Sequence, residues 1–180
     1  MKNTITILAV ISSLSFVNAQ EIKKKKFYFN TGIGLTDSRD FNWSKNFYIG
    51  AEYKFTDTES MAVNFENAEL NYLTFSNEKY YSEKFTGLQF QFNHDWSKLL
   101  GINHEKFDIY TGVNFGVGRI IKSDYVYSNG NVLLGHGDTY ISFGSQIGAR
   151  YFISKSIGIN TEINYSRGFT QIKTGLSYKF

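Results

Sequence analysis

Period-two alternation of apolar and polar residues, recurring eight times between residues 26 and 180, constrains this chain more than any other feature. Alternation of that period puts one set of residues on each face of a β-strand. The segments are Lys26–Thr36, Asn46–Thr56, Met61–Leu73, Lys84–Asp95, Lys106–Gly118, Thr139–Phe152, Ile157–Ser166 and Thr170–Phe180, separated by polar turns and loops. In the fifth, Phe107, Ile109, Val113, Phe115 and Val117 alternate with Asp108, Tyr110, Gly112, Asn114 and Gly116. The third is the least regular. Its phase holds through Met61, Val63 and Phe65, then shifts to Leu70 and Tyr72, which predicts a β-bulge near Asn67. The chain has no proline and is 18% aromatic, which suits paired strands because proline cannot donate to a strand ladder.

The next question is which face meets which solvent. Eleven of the 16 glycines, among them Gly32, Gly50, Gly112, Gly148 and Gly175, fall on the polar parity, and the other five fall in turns and loops. Small residues suit the crowded inner wall of a narrow barrel and have no use on a solvated exterior. Through the body of the seven regular segments the apolar parity carries no Asp, Glu, Lys or Arg. In lipid one such charge costs about 2–4 kcal/mol at mid-depth. The apolar face is therefore expected to meet lipid, and the sheet must close, because an open edge in hydrocarbon leaves backbone groups unpaired. The predicted fold is an all-β, eight-stranded antiparallel up-and-down transmembrane barrel. A soluble lipocalin-like binder, with the polar face outside, is the competing arrangement.

The first 19 residues, MKNTITILAVISSLSFVNA, place one lysine before an uncharged, mostly apolar run and end in small residues. That order predicts a secretory signal peptide over 1–19, the alternative being an uncleaved N-terminal helix. Residues 20–25 form a basic stub, read as solvated, with contact to anionic head groups as the sharper alternative. There is no cysteine, so neither a disulfide nor a lipid-modified cysteine is available. Losing Lys2 with the leader takes the formal charge from +3 to +2, which gives no electrostatic reason to expect nucleic acid as a partner.

An even number of strands puts both termini on one side, the periplasmic side for an exported chain. Asp57–Ser60 and Ile153–Ser156 then read as short inner turns, and Trp96–Glu105 as a longer one with room for a helical turn. The outward loops are Asp37–Lys45, Thr74–Glu83, Arg119–Asp138 and Arg167–Phe169, of which 119–138 is the longest.

The runs FYFNTGIGL, FDIYTGVNFGVG, IGARYFIS and TGLSYKF together resemble the small eight-stranded outer-membrane β-barrel family of Gram-negative bacteria, the OmpA/OmpX type. The resemblance spans 26–180. It implies an integral outer-membrane protein embedded in outer-membrane lipid, with no periplasmic domain after the barrel. It also implies that the terminal strand is read by the barrel-insertion machinery, with Tyr178 and Phe180 in the places that carry the insertion signal. It specifies no chemical activity.

Ionisable residues of inward parity are Glu52, Lys54, Glu66, Asp108, Arg150, Glu162, Lys173 and Lys179. Asp108 is expected beside Arg150, Glu162 beside Lys173, and Glu52 facing Glu66. Buried charges must be paired, so these residues read as a polar plug that sets strand register. A narrow path for ions, protons or small solutes, relayed by the carboxylates, is the alternative. His94, His104 and His136 are not spaced as metal ligands, and no metal or other cofactor is expected. Ser128, His136 and Asp138 share one loop and could together activate a nucleophile for acyl transfer on lipid. However, the loop is rich in Gly, Asn and Ser and lacks a His-x-Ser motif, so an enzyme is not expected. The leading expectation is a structural or surface-interaction barrel, with Tyr125, Tyr127, Leu133 and Leu134 of the long loop as contact candidates for an extracellular ligand.

Overall fold

The computed structural model describes residues 26–37, 43–73, 80–102, 106–122, 125–126, 132–133, 137–166 and 169–180. The leader at 1–19 and the stub at 20–25 lie outside the described residues. Eight strands close into an antiparallel barrel: β1 (Lys26–Asp37), β2 (Trp43–Lys54), β3 (Glu59–Leu73), β4 (Tyr80–Asp95), β5 (Phe107–Lys122), β8 (Gly137–Phe152), β9 (Ile157–Ser166) and β10 (Phe169–Lys179). A two-stranded ribbon, β6 (Tyr125–Val126) with β7 (Val132–Leu133), stands in the long loop. The closing seam joins β1 to β10, from Tyr28↔Lys179 to Asp37↔Thr170.

Register sets the geometry. Stepping from partner to partner from Phe27 through Tyr53, Met61, Phe92, Val113, Ser145, Tyr165 and Thr170 returns to β1 at Asp37, ten residues further along. With about 3.3 Å per residue and about 4.8 Å between strands, that stagger tilts the strands by about 40° and leaves about 16 Å between opposite backbones. Each residue then climbs about 2.5 Å along the barrel axis.

The two faces differ as the alternation requires. Ile33 and Phe143 are each 66% exposed on the outside, whereas Lys173 is 2% and Arg150 3% exposed inside. On β5 the apolar outer band runs from Phe107 to Val117, about 25 Å of height at this tilt, which matches the apolar belt of a membrane barrel. Several inward aromatics occupy space that a neighbouring glycine leaves. Tyr48 is the register partner of Gly32 and Tyr110 of Gly148, and a Cβ on Gly148 would fall on the Tyr110 ring.

Three expectations change. The bulge at Asn67 does not form: β3 and β4 pair one to one from Glu59↔His94 to Leu73↔Tyr80. Asn67 and Glu69 keep the outward parity of Phe65 and are exposed. The outer face turns polar there because the strand is leaving the apolar belt, and that change of solvent mimics a phase shift. Strands also run further at the loop end than apolar patterning predicts, with β2 starting at Trp43, β4 at Tyr80, β8 at Gly137, and β5 reaching Lys122. Backbone pairing needs no apolar face once water is available. Lys45, Lys84, Glu69 and Arg119 are accordingly exposed on outward-parity positions, so the charge-free outer face is confined to the belt.

At the other end the turns are held by side chains. Thr56 Oγ1 accepts from the amides of Thr58 (3.2 Å) and Glu59 (2.8 Å), and Ser154 Oγ from those of Ser156 (3.3 Å) and Ile157 (3.0 Å). In the longer turn, the Leu100 amide donates to the Trp96 carbonyl at 3.0 Å, a single helical turn that ends on Gly101 at φ +66°.

The C-terminus is part of the sheet. Lys179 N donates to Ser156 O (2.7 Å) and Phe180 N to Phe27 O (2.9 Å). Tyr178 and Phe180 pack edge to face at 4.8 Å on the outer wall, beside Phe27.

Candidate functional site

The polar side chains converge in the lumen as two clusters, each with one cation between two carboxylates. Towards the turn end, Arg150 on β8 donates through Nη2 to Glu52 Oε2 (2.5 Å) and through Nη1 to Asp108 Oδ2 (3.3 Å). Asp108 is its register partner on β5, but Glu52 belongs to β2, on the opposite wall. An arginine and a glutamate together can bridge a lumen of about 16 Å, and they pin its two sides. The guanidinium carbon lies 4.5 Å from the Tyr28 ring centroid and 5.6 Å from that of Tyr110. Ser60 Oγ donates to the other Glu52 oxygen at 2.6 Å. Below this cluster Lys54 pairs with Asp95 (2.5 Å), and the Lys179 ammonium lies 4.2 Å from the Phe152 ring centroid.

Nearer the loop end, Lys173 on β10 bonds Glu66 Oε1 and Glu162 Oε1 at 2.9 Å each, with Gln89 Oε1 at 3.3 Å. Neutral donors also serve the two carboxylates. Gln171 donates to Glu66 (3.0 Å), while Gln91 (2.9 Å) and the Tyr110 hydroxyl (3.1 Å) donate to Glu162. Glu66 therefore turns to Lys173 and Glu52 to Arg150, and the two do not face each other. Register opposes Tyr48 to Glu66 and Ala62 to Glu52.

A hydrogen-bonded chain runs from Tyr48, whose ring lies beside Lys173, to Glu52 of the other cluster. The Tyr48 hydroxyl donates to Asn160 Oδ1 (2.5 Å), Asn160 to Ser177 Oγ (2.7 Å), Ser177 to Asn30 Oδ1 (2.6 Å), and Asn30 to Glu52 at 3.4 Å. The Tyr48 ring centroid lies 5.4 Å from the Lys173 ammonium. Between the clusters a cavity of about 20 Å³ remains, lined by Arg150, Glu52, Glu162, Lys173, Tyr48 and Tyr110, among others. A second, of about 10 Å³, lies nearer the loop end beside Glu66 and Gln171. Spaces of that size hold about one water each.

Of the eight inward ionisable residues named from sequence, seven make ion pairs in the lumen, Lys54 in the pair below the main clusters, and the eighth, Lys179, lies over the Phe152 ring. Sequence reasoning missed Tyr28, Tyr48, Tyr110, Asp95 and the amides that complete it. The available signal was tyrosine on the glycine-rich parity, where a bulky ring requires an empty position opposite. Elsewhere, His94 Nδ1 lies 3.2 Å from Glu59 and its ring packs on Trp96 at 4.5 Å. Asp138 is 3.5 Å from Lys122. Ser128, His104 and His136 lie outside the described residues, as do Tyr127 and Leu134. Tyr125 and Leu133 are paired in the β6–β7 ribbon. Among the described residues no three His, Cys, Asp or Glu side chains gather as a metal site.

A closed eight-stranded barrel with a lipid-facing apolar belt and a polar interior defines a transmembrane β-barrel protein. Residues 6–180 match the family described as outer membrane protein beta-barrel domain. The chain belongs to that family and is an integral outer-membrane barrel. Solved structures of the same fold include OprG of Pseudomonas aeruginosa, 14% identical over 89% of this chain and 98% of that one, with a TM-score of 0.64. Neisserial surface protein A is 13% identical over 86% and 95%, with a TM-score of 0.57. Ail of Yersinia pestis, solved with the heparin analogue sucrose octasulfate, is 12% identical over 87% and 97%, with a TM-score of 0.55. No curated protein sequence matches the chain.

Proposed function

We propose that this protein is a non-enzymatic outer-membrane barrel with a sealed interior, which acts as a structural element and as a surface-interaction protein through its loop end. The observation that carries this reading is the lumen: among the described residues, ion pairs reach from wall to wall, and the cavities beside them measure about 20 and 10 Å³. Such an interior serves stability and register, so interaction falls to the loops, the longest being the one between β5 and β8. Both termini and the short turns face the periplasm, and Tyr178 and Phe180 present the insertion signal. The binding of a sulfated sugar analogue by Ail, which shares the fold, supports testing sulfated polysaccharides as ligands.

The test has two arms. In planar bilayers the wild-type barrel should pass no steady current, and a stable conductance would replace this reading with that of a narrow channel. Deleting 126–135 should abolish binding of whole cells to immobilised heparin or matrix ligands. Intact binding would move the contact surface off this loop.

A further inference from the structure

One carboxylate on the outer wall stands without a partner among the described residues. Asp37, the last residue of β1, has outward parity and is half-buried. Its Oδ1 is buried and accepts no hydrogen bond, and no salt bridge reaches it. Four other buried polar atoms lack partners among the described residues, on Asn46, Asn114, Arg150 and Asn164, but all four side chains have inward parity and face the lumen. Asp37 is the exception, and a carboxylate oxygen buried without a partner is costly.

Register fixes what surrounds it. Asp37 is opposed by Trp43 on β2 and by Thr170 on β10, and it closes both ladders at the loop end. All three residues have outward parity, so an indole, a carboxylate and a hydroxyl stand in a row across three adjacent strands, about 5 Å apart. Trp43 is 41% exposed. Asp37 is two residues past Leu35, the last apolar residue of β1, or about 5 Å above it at the edge of the apolar belt. Lys45 is diagonal to Asp37, opposite Leu35, and exposed, and it makes no salt bridge with Asp37.

We propose that Asp37, Thr170 and Trp43 form a binding site for a primary ammonium group at the loop-end rim. A primary ammonium carries three N–H donors and a positive charge. The carboxylate and the hydroxyl accept two of those donors, and an indole face attracts the charge. A quaternary ammonium brings the charge without the donors, and an anion is repelled by Asp37. The height, at the edge of the belt, fits the head group of an amine-bearing lipid, and a small soluble amine offers the same chemistry.

The full-length barrel, refolded in maltoside micelles, is titrated with short-chain phosphatidylethanolamine and followed by native mass spectrometry. Wild type should bind it in preference to the matching phosphatidylcholine, which has the same phosphate and no ammonium donor. Asp37→Asn should weaken binding about tenfold or more, as loss of a charge-assisted hydrogen bond does. Trp43→Leu and Thr170→Val should each weaken it about three- to fivefold. Glu69→Gln, which removes an exposed outward carboxylate on β3, should leave it unchanged. Lys45→Gln should leave binding intact or tighten it, because Lys45 competes for Asp37. Heat-modifiable gel migration checks that each variant is folded. Undiminished binding by Asp37→Asn overturns the proposal, as does equal affinity for the choline lipid. A loss in Lys45→Gln as large as that in Asp37→Asn would mean that the phosphate is what is held, and also overturns it. Displacement by equimolar ethanolamine would assign the site to soluble amines, and persistence of the complex would assign it to a lipid head group.

Discussion

The two lumen clusters have the same charge count and opposite construction. Arg150 spans the barrel, with carboxylates on neighbouring and opposite walls and a tyrosine ring on each side. Lys173 is a compact point charge among carboxylates that glutamines and a tyrosine also serve. Planar, forked arginine suits the long reach and lysine the crowded middle. The difference lies in redundancy. If Lys173 is removed, Glu66 and Glu162 keep neutral donors. If Arg150 is removed, Glu52 keeps Ser60 and Asn30, while Asp108 retains no other side-chain donor among the described contacts.

Arg150→Met should therefore be the most damaging lumen change. A buried charge left alone costs about 3–5 kcal/mol, and urea unfolding in lipid vesicles should show a loss of that size. Planar-bilayer recording of the same variant separates the roles: an unchanged fold with a new conductance would argue against a register function for Arg150. Lys173→Met should cost less, about 2–3 kcal/mol, because amide donors remain. Equal losses in the two variants would break the comparison. Arg150→Lys keeps the charge but forfeits the fork across the lumen, and about 1–2 kcal/mol should go with it. Smallest should be Tyr48→Phe, about 1 kcal/mol, which removes the first hydroxyl of the chain running from Tyr48 to Glu52. In a double-mutant cycle with Arg150→Lys, a coupling above about 0.5 kcal/mol would show that the clusters act together.

Much of this was legible in the sequence because the signals are local. A residue's parity follows from its neighbours two places away, so the lipid face, the lumen face and the identity of the inward charges could be read along each strand. Pairs on adjacent strands were also within reach: a short connection joins the strands of Glu162 and Lys173, and counting from the inner turns puts Asp108 and Arg150 at similar heights. Glu52 and Glu66 were misplaced because adjacency was the only relation available, and their real partners stand 98 and 107 residues away. The false bulge at Asn67 had a different cause. A pattern read on one assumption about solvent cannot distinguish a slipped strand from one that has left the membrane.

Sequence alone thus determined the barrel class, the two faces and most of the charges inside, because each follows from alternation and from the cost of a charge in lipid. Only the tertiary structure decided which charges meet. The ten-residue stagger sets the tilt, the tilt sets the bore, and the bore decides that Arg150 reaches Glu52 on the far wall. The stagger is a property of the closed sheet as a whole, and no single strand carries it.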